Sequence, residues 1–181
     1  MGMSFEAAFE AEFAGLNRFL RRRVGAAVAD DLSAETFATA FVNWERFDQA
    51  RPVRPWLYGI AANLVRHHWR DERRMLRAFA RTGVDPIFAG DELDAARLDA
   101  ASSYRSIAAD IAALRATDRE ILLLNAWAEL SDREIAEALS LPIGTVKSRL
   151  HRMRERLRNR LEADGQLEAK RLLATTTEEQ R

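Results

Sequence analysis

The residues best suited to chemistry lie in a basic helical pattern towards the C-terminus. Segment 147–160 carries seven Lys and Arg residues and a single acidic one, Glu155. At about 100° per residue, Ser148 and His151 point directly away from an apolar stripe, with a basic row on each side. Basic groups bind phosphates, while small hydrogen-bonding side chains between them reach base edges. The pattern predicts a helix that enters the major groove of DNA.

The residues before this helix have the spacing of a helix-turn-helix. Ser131 is followed three residues later by Glu134, as in a capping box at a helix start. Pro142 ends that first helix, Gly144 suits a tight turn, and Thr145 is placed to cap the second helix. A solvated, charged surface helix is the alternative, but caps, turn and basic rows together favour DNA binding. The apolar stripe of the second helix comprises Val146, Leu150, Met153, Leu157 and Leu161.

A second pattern, in segment 54–77, combines arginines with aromatic and amide side chains. Four arginines share one helical face with Gly59 and Asn63, and Trp56 and His67 lie at its border. This combination suits a single nucleic-acid strand, because guanidiniums bind phosphates, an aromatic ring stacks on a base and an amide reads a base edge. Alternatively, the aromatic side chains belong to the core. The four arginines are Arg66, Arg70, Arg73 and Arg77.

Segment 30–47 pairs a strong apolar stripe with carboxylates on another face. Phe41 and Trp44 lie in the stripe, and Asp31 and Glu35 lie away from it. An ordinary bundle helix with solvated carboxylates explains this pattern, so these residues alone indicate no partner.

Composition restricts the class of protein further. The 181 residues are 48% hydrophobic, which excludes wholesale disorder, and no alternating strand pattern occurs. There are no cysteines, which excludes disulfides and a Cys-based zinc site. We find no signal peptide and no apolar run that could span a bilayer, so we expect a cytoplasmic protein without membrane insertion.

The formal net charge of zero hides an uneven distribution. Residues 1–77 carry 12 basic and 10 acidic groups, and residues 114–161 carry 10 and 7. Residues 78–113 between them carry 3 and 6, and residues 162–181 carry 3 and 5. Two basic blocks are therefore separated by an acidic connector, and local fields of this kind govern association with DNA.

These patterns predict an all-α chain of two small helical domains joined by a flexible acidic linker. Gly83, Pro86 and Gly90 mark the linker as weakly structured. The tail is polar and is expected to fray. We expect helices over 4–25, 30–47 and 54–79, a first domain over 1–80, the linker over 81–101, a second domain over 102–163 and the tail over 164–181.

Both blocks, in this order and at this separation, resemble the extracytoplasmic-function (ECF) type of bacterial RNA polymerase sigma factor, of the sigma-70 family. Region 2 of the family is matched by Asp31-Leu-Ser-Ala-Glu-Thr-Phe37, by Arg46-Phe47-Asp48, and by Trp56-Leu-Tyr-Gly-Ile-Ala-Ala-Asn63 running into Arg73-Arg74. Region 4 is matched by Leu114 through Leu161, including Asp118-Arg-Glu-Ile-Leu122, Glu134-Ile-Ala136 and Gly144-Thr-Val-Lys-Ser-Arg149.

The resemblance implies three binding surfaces. The clamp helices of the polymerase largest subunit would meet Asp31, Leu32 and Glu35. The opened −10 strand would be bound by Phe47, Arg51, Trp56, Asn63, Arg66, His67 and Arg70. The −35 duplex would be read by Thr145, Lys147, Ser148, Arg149 and Arg152. The implied partners are core RNA polymerase, promoter DNA and an anti-sigma factor, and no cofactor is implied.

Three residues depart from the family pattern. Ala34 stands where Gln is usual, which weakens the expected clamp contact. Gly59 replaces a larger, often basic residue on the expected DNA-facing side, which removes a phosphate contact. Ser140 replaces the usual Gly in the turn, and a positive φ there would strain it by about 1 kcal/mol.

Two other classes of protein compete with this interpretation. A helix-turn-helix regulator with an N-terminal sensing or dimerisation bundle would bind a two-fold operator without polymerase, but it leaves the arginine face of segment 54–77 unexplained. An enzyme is disfavoured because no catalytic set stands out. The adjacent His67 and His68 point about 100° apart, so we expect no metal site. His68 with Glu72 is more often a surface hydrogen bond than a ligand pair.

Overall fold

The computed structural model of the protein describes residues 3–82, 111 and 113–178. All regular elements in those ranges are helices, which confirms the predicted all-α class. The expected linker lies outside the described residues from position 83 onwards, as do residues 102–110. The elements are α1 (Phe5–Val42), a 3₁₀ turn (Trp44–Arg46), α2 (Val53–Thr82), α3 (Ala116–Ala126), α4 (Asp132–Ala138) and α5 (Ile143–Glu178).

Helix α1 is interrupted at Gly25, which is where the sequence predicts that the first of the two expected helices ends. Gly25 has φ 80° and ψ 169°, a conformation that residues with a Cβ rarely adopt. The two halves are joined by side chains: Asn17 Nδ2 donates to Asp30 Oδ1 and to Ser33 Oγ, each at 3.0 Å. Arg21 adds an ion pair with Asp30 at 3.0 Å. The break thus divides α1 into two packed segments.

The second half of α1 ends at Val42, so the expected helix through residue 47 is too long. Asn43 ends it, because its backbone N–H and its side-chain amide both donate to the carbonyl of Thr39. Amide side chains that compete in this way for backbone carbonyls favour helix ends over helix interiors. The chain then continues through the 3₁₀ turn into α2.

The chain packs as two compact units: Met1–Asp91 with Leu123–Val146, and Glu92–Leu122 with Lys147–Arg181. In the first unit, α1 and α2 enclose a core in which the Phe19 and Tyr58 rings meet edge to face at 5.3 Å. The same unit contains α4, which packs on α2. Its fully buried side chains include Leu16, Phe19, Leu20, Leu57, Tyr58 and Val65.

Helix α4 begins and ends with defined caps. Ser131 and Glu134 form the predicted capping box, with Ser131 Oγ accepting from the Glu134 N–H and the Glu134 carboxylate accepting from the Ser131 N–H. At the other end Ser140 has φ 53°. The N–H of Leu141 donates to the Ala136 carbonyl at 2.8 Å, as in a Schellman motif. Ser140 therefore occupies the left-handed position that glycine usually takes.

Helix α5 differs from the prediction at both ends. It starts at Ile143, and the carbonyl of Pro142 accepts from the N–H groups of Thr145 and Val146. The prediction that Thr145 caps this helix is therefore wrong, since a proline suits a helix start and opens the helix two residues earlier. The expected frayed tail is also wrong, because α5 continues to Glu178. Residues of high helix propensity dominate this stretch despite Gly165.

Candidate DNA-binding surfaces

The N-terminal part of α5 presents the basic surface that the sequence predicts. Val146, Leu150 and Met153 are buried, and Leu157 is half-buried, which confirms the predicted apolar stripe up to that residue. The side chain of Leu161 lies outside the described ones. Opposite the stripe the side chains are exposed, among them Lys147, Ser148, His151, Arg152, Arg154, Arg156 and Arg158. The predicted −35 reader Thr145 is half-buried.

Arg149 is the exception in this basic row. Its Nη1 donates to Asp118 Oδ1 at 2.9 Å, and its side chain is only 32% exposed. Asp118 lies in the first turn of α3. The composition of segment 147–160, with Glu155 as its single acidic residue, predicts no acidic partner for the basic row, and this prediction is wrong at Arg149. No local sequence signal marks a pair separated by 31 residues.

The exposed face of α2 carries four of the residues expected to bind the −10 strand. Asn63, Arg66, His67 and Arg70 all have exposed side chains. Arg66 Nη2 donates to Asn63 Oδ1, which fixes the orientation of the amide next to the guanidinium. The face thus combines an amide with cations, which are the types of group that single-strand binding needs. Arg73 and Arg77 have side chains outside the described ones.

The aromatic residues expected at the −10 strand contact one another. The Phe47 and Trp56 rings are stacked, with centroids 4.4 Å apart and an angle of 22° between planes. The centroid of the Trp44 ring lies 5.6 Å from that of Phe47 and 6.0 Å from that of Trp56. All three side chains are half-buried. The half-burial of Trp56 agrees with the core interpretation, and its stacking on a base stays a prediction.

Near the N-terminus of α2, two residues contact the helix-turn-helix. Arg51 Nε lies 2.7 Å from Glu137 Oε1. Gly59, expected on the exposed face, is buried, and a Cβ added to it would lie 2.6 Å from the Ala138 carbonyl oxygen. The expected exposure of Gly59 is therefore wrong, because α4 covers that part of α2. Glycine permits this close approach of two backbones.

The guanidinium of Arg54 lies where α1, α2 and α4 meet, near the carboxylates of Glu12 and Glu134. Arg54 Nη2 donates to the Ala128 carbonyl at 2.7 Å, and its Nε lies 3.7 Å from Glu12. Burial raises the pKa of Glu12, with Arg54 opposing the shift and Glu134 adding to it. Burial also raises the pKa of Glu134, but the hydrogen bonds from Ser131 outweigh this effect, so the pKa is lowered overall. Two carboxylates from different helices thus share one guanidinium.

The residues expected to meet the polymerase differ in exposure. Asp31 and Glu35 are exposed, whereas Leu32 is only 7% exposed and packs in the core. Ala34, one of the departures from the family pattern, is exposed between them. Phe41 and Val42 at the end of α1 are 63% and 80% exposed. The polar groups therefore stand on a surface that also offers apolar area.

Among the residues that the structure describes, no three His, Asp or Glu side chains lie together in a way that could hold a metal ion. Within the same part of the chain, no helix has the length and apolar character needed to cross a bilayer.

The fold and these surfaces define a class: an all-helical DNA-binding protein with a helix-turn-helix and a separate arginine-bearing helical face. Comparison with family models narrows the class. Residues 9–75 match the model of sigma-70 region 2, and residues 104–157 match the model of sigma-70 region 4.

Individual relatives agree with the family models. The chain is 32% identical over 145 residues to the ECF RNA polymerase sigma factor SigW of Bacillus subtilis, covering 74% of this chain and 75% of the relative. It is 34% identical over 148 residues to the ECF sigma factor SigL of Mycobacterium tuberculosis, covering 80% and 81%. A solved structure of CnrH in complex with the cytosolic domain of CnrY has a TM-score of 0.62, 26% identity and 88% coverage of both chains.

The chain belongs to the ECF sigma factors of the sigma-70 family. It is an alternative sigma factor, and such proteins direct promoter-specific initiation of transcription. The alternative of a helix-turn-helix regulator without a sigma role is not favoured.

Proposed function

We propose that this sigma factor divides promoter recognition between α5 and α2. Residues 102–163 form the domain that reads the −35 duplex, and residues 1–80 form the domain that binds core polymerase and the −10 strand. The observation that carries the proposal is the basic, exposed face of α5 opposite its buried stripe, joined in one chain to the exposed face of α2 that bears Asn63. Residues 81–101 connect the domains.

At the −35 element, the start of α5 supplies the base and phosphate contacts. Ser148 and Thr145 are short polar side chains on the first two turns, where a major-groove helix reaches base edges. Lys147 and Arg152 flank them and contact phosphates. Arg152 Nε also donates to the Ser148 carbonyl at 3.2 Å, which holds the guanidinium along the helix. Arg149 acts at this surface from its position against Asp118.

At the −10 element, α2 holds an opened strand. Arg51, Arg66, His67 and Arg70 bind its phosphates, and Asn63 reads the Watson–Crick edge of an unstacked base. The stacked Phe47 and Trp56 rings form the apolar wall on which that base lies. A single strand fits this face better than a duplex, because only an unpaired base presents both its edge and its ring.

The polymerase contact is made by the exposed carboxylates of α1. Asp31 and Glu35 lie one helical turn apart and pair with basic groups of the clamp helices. Leu32, packed in the core, holds their helix in place. Ala34 lacks the amide usual in the family, so this contact depends more strongly on the two carboxylates.

Three further properties are proposed from membership of the family. Two structural relatives were solved as complexes: CnrH with the cytosolic domain of CnrY, and the Bartonella quintana sigma factor RpoE with the anti-sigma factor NepR. We propose that an anti-sigma factor likewise holds this chain inactive, and that the chain acts in the cytoplasm without catalysing a reaction of its own. RNA synthesis then belongs to the polymerase.

Run-off transcription with core polymerase on genomic fragments tests the proposal. We expect defined start sites that need both components and that disappear with core enzyme alone. A matched variant, Glu35→Gln, should lower core binding on size exclusion while leaving −35 duplex binding intact. If no start site depends on the protein, or if it elutes apart from core polymerase, the proposed role is wrong.

A further inference from the structure

Three contacts join α2 and the residues just before it to the segment that leads into the recognition helix. Arg51 lies 2.7 Å from Glu137, Arg54 donates to the carbonyl of Ala128, and the backbone at Gly59 approaches Ala138 too closely to admit a Cβ. These contacts combine an ion pair, a hydrogen bond to backbone and a steric fit. Of the residues assigned above to the −10 strand, Arg51 takes part in these contacts.

The same contacts are incompatible with a bound promoter. By their numbering, the −10 and −35 elements lie roughly 25 base pairs apart, which is about 85 Å of duplex at 3.4 Å per base pair. Recognition helix α5 begins at Ile143, only five residues after Ala138. Those residues cannot span such a distance, since an extended chain covers at most about 3.6 Å per residue. α4 cannot touch α2 while α5 reads −35 and α2 holds −10.

Arg51 has two competing uses in this arrangement. Its guanidinium either pairs with Glu137 or binds a strand phosphate, because both are anions that compete for the same guanidinium. Glu137 is mostly buried in the pair, with a side-chain exposure of 18% against 56% for Arg51. The carboxylate therefore stands where a phosphate would otherwise approach the arginine.

We propose that α4 is a built-in lock on the −10 surface, closed by the Gly59–Ala138 contact and the Arg51–Glu137 ion pair, which must open before both promoter elements are engaged. The proposal rests on the assignment of the −10 strand to α2 given above. Gly59 is the steric determinant, since any larger residue at that position displaces the α4 backbone. The lock lowers promoter binding by the free chain, because the apparent Kd rises as the open fraction falls.

A distance measurement tests the lock directly. The chain has no cysteine, so Glu10→Cys and Arg133→Cys provide two unique, exposed sites for spin labels in the full-length protein. We expect one short inter-label distance in the otherwise unchanged chain. Gly59→Ala and Glu137→Arg should each move a large share of molecules to longer, broader distances. Combining Arg51→Glu with Glu137→Arg should restore the short distance by reversing the pair.

The glycine variant has a matched control. Alanine is a better helix former than glycine, so Gly59→Ala does not weaken α2 itself. Gly144→Ala makes the same change where a Cβ meets nothing within 4 Å, and it should leave the distance unchanged. If Gly59→Ala and Glu137→Arg both keep the short distance, there is no lock of this kind.

Strand binding provides the second measurement. A dye-labelled single-stranded oligonucleotide carrying the −10 strand of a promoter mapped by run-off should bind Gly59→Ala about tenfold more tightly than the parent chain. Longer distances without tighter strand binding would overturn the claim that α4 blocks this face. Adding Asn63→Ala to Gly59→Ala checks the underlying assignment. If that addition leaves strand binding unchanged, the −10 surface is misplaced, while the distance result still judges the lock.

Discussion

Asp118 in the first turn of α3 and Arg149 in the second turn of α5 form an ion pair at 2.9 Å. The two side chains are 23% and 32% exposed, so water screens the pair less than it screens an ordinary surface contact. The pair orients the guanidinium at the start of the recognition helix. It thereby connects the placement of α3 to the surface proposed to read the −35 element.

We predict that Arg149→Ala weakens −35 duplex binding by about 1–3 kcal/mol, because a guanidinium contact near the start of the recognition helix is lost. Asp118→Asn should cause a smaller loss, since it frees the guanidinium without removing it. Fluorescence anisotropy with a −35 duplex measures both. If Arg149→Ala lowers only the thermal stability and leaves the affinity unchanged, the arginine is a structural strut and does not read DNA.

Lys147→Ala provides the contrasting case on the same helix. A phosphate contact carries no sequence information, so its loss should weaken binding to specific and unrelated duplexes alike. It should also reduce the salt dependence of binding by about one unit of slope. A salt titration of both variants separates the two roles. A loss confined to the specific duplex would show that Lys147 reads a base.

We predict that Asn63→Ala impairs capture of the −10 strand and leaves −35 duplex binding intact. Its amide, held by Arg66, is proposed to read an unstacked base and not a duplex edge. A promoter with a pre-melted −10 bubble should therefore retain the dependence on Asn63, as permanganate footprinting can show. Asn159→Ala, the same change at an exposed position on α5, is the control and should not alter strand capture. Equal loss of −35 affinity in Asn63→Ala and Arg149→Ala would contradict this division.

We predict that Ser140→Gly raises the free energy of unfolding by up to about 1 kcal/mol, because Ser140 occupies the left-handed region that glycine adopts without steric cost. Ser131→Gly is the matched control. Its φ is −66°, so glycine relieves nothing there and instead removes a cap, for a loss of a few tenths of a kcal/mol. Denaturant unfolding compares the two. A loss of stability in Ser140→Gly would mean that the turn is not strained.

We predict a specific acid dependence for the joint between the two halves of α1. Hydrogen bonds from Asn17 and then from Arg21 lower the pKa of Asp30 below its ordinary value of 3.8. A lowered pKa in the folded state means that the stabilisation is present above 3.8 and is lost as pH falls through the folded value. Asp30→Asn should therefore be less stable than the parent chain at neutral pH, and the two should converge in acid.

Thermal unfolding between pH 3 and pH 7 measures this convergence. Asn17→Ala removes the larger cause of the shift and should show a weaker acid dependence than the parent chain. If the difference between Asp30→Asn and the parent chain is constant over the range, the carboxylate does not contribute through its charge.

Features that depend on near neighbours in the chain were predictable from the sequence. The capping box of Ser131 and Glu134, the break of α1 at Gly25 and the buried stripe from Val146 to Met153 all follow from backbone geometry and helical periodicity. The exposed basic face of α5 follows from the same period. These features determine the helix-turn-helix, and with it the DNA-binding class.

Features that depend on distant residues were decided by the tertiary structure alone. Helical periodicity places Gly59 on the polar face of α2, yet α4 buries it, because nothing local announces that a second helix will pack there. The same holds for Arg51 with Glu137 and for Arg149 with Asp118, which are far apart in sequence. Helical periodicity and composition indicate which side chains of a helix can lie outside the hydrophobic core. Only the packing of one helix on another determines which of them reach solvent and which meet an opposite charge.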